Sequence, residues 1–259
     1  MTKKLLSTTL LAMLATSFVA CDKGDDDNES QSYKGGTTGG HEWVDLGLTS
    51  GNLWATCNVG ATNPWDYGNY YAWGETETKS YYYWDTYKYC NGSFNSLTKY
   101  NYNAEYGTVD NKNTLESADD VATAVFGADY SMPTTADWDE LSNQCYWVWT
   151  YNYNNRNVSG YIVYKAKLAD DKGTKVYRDG TPSASYSLTD AHIFLPAAGC
   201  RNYSDLLGAG GVGDYWSSSL SGDDPSGART CYFDSTIVYP SVDCLRFAGF
   251  SVRPVLRTN

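Results

Sequence analysis

Cysteine is the residue type in this sequence with the widest chemical scope, because a thiol can form disulfides, bind metals or act as a nucleophile. Six cysteines follow Cys21, an even number that permits up to three disulfides in an exported protein. No CxxC spacing occurs, which disfavours a zinc site. Cys231 and Cys244 are the first candidate pair for a disulfide, because neighbouring strands could carry them; the alternative is that most of the six fill core space. The six are Cys57, Cys90, Cys145, Cys200, Cys231 and Cys244.

Other patterns that could support catalysis or metal binding are missing from the sequence. Only two histidines occur, His41 beside a flexible segment and His192 in an apolar run typical of a core strand. Neither GxSxG nor HExxH is present. Asp223 and Asp224 lack the ligand spacing of an EF-hand calcium loop. We therefore predict no catalytic residue, no metal site and no cofactor, and a binding protein rather than an enzyme.

The first forty residues look like an export signal and a tether. Lys3 and Lys4 precede an apolar run too short to span a bilayer, which predicts a secretory signal peptide over residues 1–20. Ser17 to Cys21 resembles a bacterial lipobox, so Cys21 is the predicted lipidation site that anchors the protein in outer-membrane lipid. Residues 21–40, acidic and then Gly-rich, form a predicted flexible tether. Their acidic start resembles a surface-export signal of lipoproteins; an ordinary solvated linker is the alternative.

Charge restricts the class of partner. The formal net charge is −11, and removal of residues 1–20 takes away two lysines, which makes it −13. Such a chain repels nucleic acid and anionic membrane surfaces, so we expect neither as a partner. The apolar content is ordinary for a protein with a packed core.

The residues from Gly213 onward contain three predicted strands, of which the second carries Cys231 and the third begins shortly after Cys244. Runs rich in aromatic and β-branched residues, bounded by Gly, Pro and Asp, are typical of strands. Pro254 favours an edge position for the last one, because proline cannot donate to a ladder. The strands are predicted over Tyr215–Ser219, Ala228–Asp234 and Phe247–Val255.

Two helices are predicted upstream. Residues 116–126 form one, capped by Ser117 and ended by Gly127, with Val121, Val125 and Phe126 on a common face. The other begins at Thr134, whose TTAD segment resembles a capping box, with Trp138 and Leu141 on its buried face.

Further strands and loops are expected between these landmarks. Residues 81–106 form an aromatic-rich tract that either binds a ligand such as a glycan or is pinned onto the body by its own side chains. Strands are expected over residues 44–58 with a turn at Ser50–Asn52, and over residues 68–73, 146–153, 160–165 and 191–195, with a Gly-rich loop over 201–213.

Six segments occur in order: VDLGLTSGNLWATCNVGA (44–61), YAWGE (71–75), SMPTTADWDEL (131–141), IFLPAAGCR (193–201), YWSSS (215–219) and GFSVRPV (249–255). Together they resemble the Fibrobacter succinogenes major paralogous domain family, which is widespread in surface proteins of Bacteroidetes. The resemblance implies an α+β domain of C-type-lectin-like type over residues 41–259, with short antiparallel sheets, two helices and long loops. Members of this family resemble targets of diversity-generating retroelements, which would mutate AAC-type codons to residues other than Lys, Glu, Gln, Met and Trp. None of those five occurs from Ser217 onward.

The resulting hypothesis is a surface-exposed, lipid-anchored protein that recognises an unknown protein or glycan ligand. Exposed apolar residues interrupting a polar surface indicate a recognition patch, although strand alternation would turn half of them inward. Two alternatives are an oxidase similar to formylglycine-generating enzymes, acting at Cys231 or Cys244, and a glycan-capture component that uses the aromatic tract. The predicted ligand-binding residues are Thr230, Tyr232, Asp234, Ile237, Tyr239, Val242, Leu245, Phe247, Ala248 and Phe250.

Overall fold

Short strands carry most of the fold. The computed structural model describes residues 35–258, which form several small, largely antiparallel sheets and two α-helices, an α+β fold as predicted. The predicted signal peptide and Cys21 lie outside these residues. The helices are α1 (Val121–Phe126) and α2 (Thr135–Gln144). The strands are β1 (Gly35–Thr38), β2 (His41–Val44), β3 (Leu53–Ala55), β4 (Tyr130–Ser131), β5 (Cys145–Thr150), β6 (Gly160–Lys165), β7 (Lys175–Val176), β8 (His192–Pro196), β9 (Cys200–Asn202), β10 (Asp205–Leu207), β11 (Val212–Leu220), β12 (Gly227–Asp234), β13 (Ile237–Leu245) and β14 (Val255–Leu256).

The first sheet joins both ends of the domain in the order β1-β2-β3-β14-β4. Strand β14 pairs with β3 and β4, which places the end of the domain beside its beginning. The predicted turn at Ser50–Asn52 is present, with Gly51 at φ +75°. The expectation that residues up to 40 are a flexible tether is wrong for Gly35–Thr38, because this segment pairs with β2 as a hairpin.

A second sheet has the order β7-β5-β6-β8. The predicted pairing of its two central strands is confirmed, with Cys145 opposite Lys165 and Thr150 opposite Gly160. Strand β5 ends before Tyr153, which lies in a short 3-10 turn. The side chains of β5 and β6 are almost all buried, so the sheet is an interior layer. Residues 68–73, by contrast, make only a single bridge, from Tyr71 to Phe250, and not the expected strand.

The C-terminal sheet contains β11, β12 and β13 in sequence order, all antiparallel. Its first two strands are those predicted. The third prediction, over Phe247–Val255, is wrong, because β13 forms earlier, over Ile237–Leu245. The Asp234 carboxylate accepts bonds from the backbone N–H and hydroxyl of Thr236, at 2.7 Å each, and so closes a tight turn between β12 and β13.

Both predicted helices exist, but the first is shorter. Ser117 lies in a separate 3-10 turn, and Asp120 caps α1 by accepting from the backbone N–H groups of Ala122 and Thr123. Val125 is exposed, because the six-residue helix turns only one side to the core. The second prediction is confirmed: Thr134 and Asp137 form a reciprocal capping box on α2.

Two large apolar clusters fill the interior. One contains Trp73, Tyr100 and Trp216, and the other contains Trp54, Trp138 and Trp147. The C-terminal sheet contributes to both, with Trp216 in the first and Tyr215 in the second. Within residues 35–258, none of the helices is long and apolar enough to cross a membrane.

Candidate functional site

The predicted ligand-binding residues lie on β12, β13 and the chain that follows them. Cross-strand register places Asp214, Tyr232 and Tyr239 in one row across the C-terminal sheet. The next row contains Val212, Asp234 and Ile237. We call the side of the sheet that carries these six residues its outer face. All six are half-buried or exposed, and Tyr239 is 48% exposed.

The opposite side of the same sheet belongs to the core. Tyr215, Cys231 and Phe233 are buried there together with Trp138 and Leu141 of α2. Because successive side chains of a strand point to opposite faces of the sheet, only some of the predicted ligand-binding residues can lie on the outer face. Val242 is half-buried, pairs with Thr230 and remains a candidate beside the outer face. Leu245 is 44% exposed and remains a candidate at the end of the sheet, but it pairs with Gly227, so alternation places it on the opposite side from Tyr232.

Four of the predicted contact residues are buried, so their assignment to a ligand surface is wrong. Thr230 and Phe250 are at most 2% exposed. Phe247 packs edge-on against Tyr83 and Trp84, with ring centroids 5.1 Å apart in each case. After Leu245 the chain enters the interior, and the apolar residues that suggested a patch are core residues. The four buried residues are Thr230, Phe247, Ala248 and Phe250.

The candidate disulfide between Cys231 and Cys244 is not formed. All six cysteines of residues 35–258 are free thiols. Cys231 pairs with Tyr215 and packs in one apolar cluster, whereas Cys244 pairs with Ala228 and packs against the other. Their side chains therefore leave the sheet in different directions. Burial raises the pKa of both thiols, that of Cys244 to about 12.

Arg246 connects the C-terminal sheet to the aromatic tract. Its side chain is fully buried and follows directly after β13. The guanidinium donates to the backbone carbonyls of Lys99, Tyr100 and Pro225 and to the Tyr87 hydroxyl, at 2.8–3.0 Å. Those carbonyls satisfy the buried charge. The sequence contained a sign of this buried charge, because Arg246 stands between the apolar residues Leu245 and Phe247.

Most of the aromatic tract is pinned onto the body rather than presented to solvent. Asp119 anchors it by accepting hydrogen bonds from the hydroxyls of Tyr89 and Tyr100 and from the Lys99 ammonium. These donors lower the pKa of Asp119 to about 2, against the opposing effect of burial, which is the largest single influence. The buried rings of the tract are Tyr82, Trp84, Tyr87, Tyr89 and Tyr100.

The start of the tract differs, because it borders a cleft of about 450 Å³. One side of the cleft is formed by residues 68–70, 78–80 and Tyr82, and the other by Arg201 and Ser204. The predicted Gly-rich loop over 201–213 is in part a hairpin of β9 and β10, which brings Tyr203 to Tyr82. We call this concavity the tyrosine cleft, because Tyr70 and Tyr82 line it. Tyr81, Tyr83 and Tyr203 do not line the cleft; they adjoin Tyr82 and Ser204 along the chain, and we call them its rim. Sequence patterns gave no sign that the two segments meet.

Asp214 is the most perturbed carboxyl on the outer face. Burial raises its pKa to about 7, from an ordinary value near 3.8. The ionisable groups close enough to interact with it are the thiols of Cys200, Cys231 and Cys244 and the phenol of Tyr232. None of these is a cation that would stabilise the carboxylate.

The histidines have structural environments. His192 is buried as predicted, and its ring contacts the Tyr153 hydroxyl at 3.0 Å and the Asp190 carbonyl at 2.8 Å. Burial lowers its pKa. His41, the first residue of β2, stacks on Phe126 of α1. Among residues 35–258, no group of three His, Cys, Asp or Glu side chains could hold a metal ion.

Comparison of the chain with protein-family models, with curated proteins and with solved structures finds no match.

Proposed function

We propose that this protein is a surface-exposed lipoprotein of C-type-lectin-like fold that recognises a protein or glycan ligand through the outer face of its C-terminal sheet. Acylated Cys21 would hold it in the outer membrane, and the acidic, Gly-rich segment after Cys21 would act as the tether. The strongly negative net charge supports the exclusion of nucleic acid as a partner.

The observation that carries the proposal is the chemistry of the outer face. Its two cross-strand rows combine carboxylates, phenols and aliphatic side chains on adjacent strands. Such a mixture offers both desolvated anchors and directional hydrogen bonds to a partner. Because the opposite side of the sheet is buried against α2, the strands hold these groups in fixed positions.

Diversification by a retroelement is part of the proposal. The structure divides β12 and β13 into residues that could change freely and residues that could not. Substitution at exposed sheet positions usually alters stability by less than about 0.5 kcal/mol, whereas core positions cost several times more. The exposed or half-buried positions without such a structural role are Tyr232, Ile237, Tyr239, Val242 and Leu245, whereas the Asp234 carboxylate closes the turn between β12 and β13.

The oxidase alternative is disfavoured by the state of its two cysteines. A thiolate is the reactive form, and burial raises the pKa of Cys231 and Cys244 away from it. The two thiols also belong to different apolar clusters, so they do not form a reactive pair.

Deep sequencing of the 3′ end of the gene, from one clonal population and from sister strains, tests the diversification. We expect substitutions at these five exposed or half-buried positions, and invariance at buried neighbours such as Ala228, Phe233 and Val238. Equal invariance of both sets, at the level of residues 44–61, would contradict diversified recognition.

A further inference from the structure

We propose that the tyrosine cleft is a second binding site, and that its ligand is a saccharide carrying a carboxylate group. The site shares no residue with the outer face of the C-terminal sheet. The proposal therefore does not depend on whether that face binds a ligand.

The first observation is the charge in the cleft. Lys79 is paired with Glu75 at 2.9 Å, but Arg201 makes no ion pair with any residue from 35 to 258. The Arg201 guanidinium lies 5.5 Å from the centroid of the Tyr70 ring and donates to the Ser204 carbonyl at 3.2 Å. Arginine has five N–H donors in a planar fork that matches a carboxylate. Most of that fork is left for a ligand.

The second observation is the supply of hydroxyl groups. Thr78, Ser80 and Ser204 all line the cleft. Their hydroxyls form no hydrogen bond with another residue of the described chain, and all three residues are exposed. A hydroxyl both donates and accepts, so it can pair with the hydroxyls of a sugar in either sense. Arg201 would fix the carboxylate, and these groups would fix the ring around it.

The third observation is the aromatic rim. Tyr203 stacks on Tyr83 with ring centroids 4.9 Å apart and lies 5.7 Å from Tyr81. Tyr81 and Tyr203 are 38% and 42% exposed, respectively. Exposed rings beside polar groups suit an amphipathic partner such as a sugar ring, which has apolar C–H faces.

The backbone at the rim is strained. Tyr203 adopts φ +52°, a left-handed conformation that is uncommon for a bulky residue. It is held there by two backbone hydrogen bonds with Tyr82, each 2.9 Å long. Strain of this kind persists where the surrounding structure imposes it, and it is concentrated at binding sites.

The size and surroundings of the cleft agree with this ligand class. Its volume of about 450 Å³ falls within the range of small-molecule sites. Glu77 and Asp205 belong to the adjoining segments, but both are exposed, so water and salt screen their charge. The charge of Arg201, by contrast, is half-buried and acts at short range.

Titration calorimetry tests the proposal on the full chain carrying Cys21→Ser, which prevents acylation. The probes are short oligosaccharides of galacturonate, glucuronate and sialic acid, each compared with its neutral methyl ester. We expect at least one acid to bind saturably, its ester to bind at least tenfold more weakly, and Arg201→Met to remove that tenfold preference. Tyr203→Asn, which tolerates the left-handed backbone, should weaken acid and ester alike.

Arg178→Met is the matched control, because Arg178 is an exposed arginine outside the cleft. It should leave binding unchanged. Absence of saturable binding by all three acids would overturn the proposal. So would equal affinity for acid and ester, or full binding by Arg201→Met. Variants of the outer face should not affect these affinities, so failure here is distinguishable from failure of the sheet as a recognition surface.

Discussion

The outer face of the C-terminal sheet and the tyrosine cleft both present side chains to solvent, but their positions are set in different ways. On the sheet, the pleat decides within a few residues which side chains face outward. At the cleft, the positions of the side chains depend on contact between Tyr82 and Tyr203, which are far apart in the sequence. Single substitutions on the outer face should therefore leave its geometry intact, whereas the geometry of the cleft depends on contact between two loops.

Arg246 joins the C-terminal sheet to the aromatic tract, and we expect its loss to have the largest effect on stability. Replacement by methionine keeps much of the volume but leaves buried carbonyls at Lys99, Tyr100 and Pro225 without a donor. Each orphaned group costs about 1–3 kcal/mol, so the free energy of unfolding should fall by about 4 kcal/mol. Urea denaturation measures this loss. Arg201→Met is the matched control and should cost under about 1 kcal/mol; an equal effect of the two changes would refute the distinction.

Trp84 and Tyr83 are neighbours in the aromatic tract, but one ring is buried in the core and the other is partly accessible to a ligand. Trp84 is buried against Tyr87 and Phe247, whereas Tyr83 lies half-buried at the cleft rim. Trp84→Ala should lower the free energy of unfolding by about 3 kcal/mol through the cavity it leaves. Tyr83→Ala should cost about 1 kcal/mol and act mainly on binding. Thermal unfolding of the two variants checks this, and the reverse order of stability would show that the tract is arranged differently.

Asp214 should make stability depend on pH. Its folded pKa of about 7 exceeds the ordinary value, so the folded state binds the proton more tightly. The cost of ionising Asp214 is therefore absent below about pH 4, grows between pH 4 and pH 7, and is complete above pH 7. The full rise in pKa corresponds to about 4 kcal/mol, and we expect about half of it because Asp214 is only half-buried and solvent screens its charge. Asp214→Asn should therefore be more stable than the wild type by about 2 kcal/mol at pH 8 and equally stable at pH 4.

Denaturation midpoints across this pH range, measured for both proteins, give the difference directly. Asp179→Asn changes an exposed carboxylate, 87% accessible, and serves as the control. If the difference between wild type and Asp214→Asn stays constant from pH 4 to pH 8, Asp214 is ionised in the folded protein and the account of the outer face is wrong.

The exposed residues of β13 should have the smallest effect on stability. Tyr239→Ser and Leu245→Ser each remove a side chain that is nearly half exposed. We expect each to change the free energy of unfolding by no more than about 0.5 kcal/mol. Val238→Ser, on the buried side of the same strand, should cost more than about 2 kcal/mol. Similar losses at all three positions would mean that the outer face is covered.

The elements that sequence reasoning identified are those with strong local signals. The capping box at Thr134 and the apolar run of β6 depend on neighbouring residues only. The error at Phe247–Val255 arose because alternation there reflects burial of Phe247, Phe250 and Val252 in the core without a ladder. Composition alone does not separate these two cases.

The sites were less predictable than the elements. Phe247, Ala248 and Phe250 were expected on the ligand-binding surface but lie in the interior. The candidate disulfide is absent because Cys231 and Cys244 pack in separate clusters. The cleft forms where residues 78–80 and Tyr82 come together with Arg201 and Ser204, and no periodic pattern in the sequence indicates that these segments meet. Asp214 could have been suspected, since it interrupts an aromatic strand.

Ligand binding by matched variants tests the central claim most directly. The full chain with Cys21→Ser would be applied to an array of extracellular proteins and glycans beside the triple variant Ile237→Ser, Tyr239→Ser, Leu245→Ser and the cleft variant Arg201→Met. We predict at least one ligand whose binding signal falls tenfold or more in the triple variant and persists in Arg201→Met. The triple variant should keep the unfolding midpoint of the wild type, so that the loss of binding does not reflect unfolding. A triple variant that keeps every ligand of the wild type would contradict recognition through the C-terminal sheet.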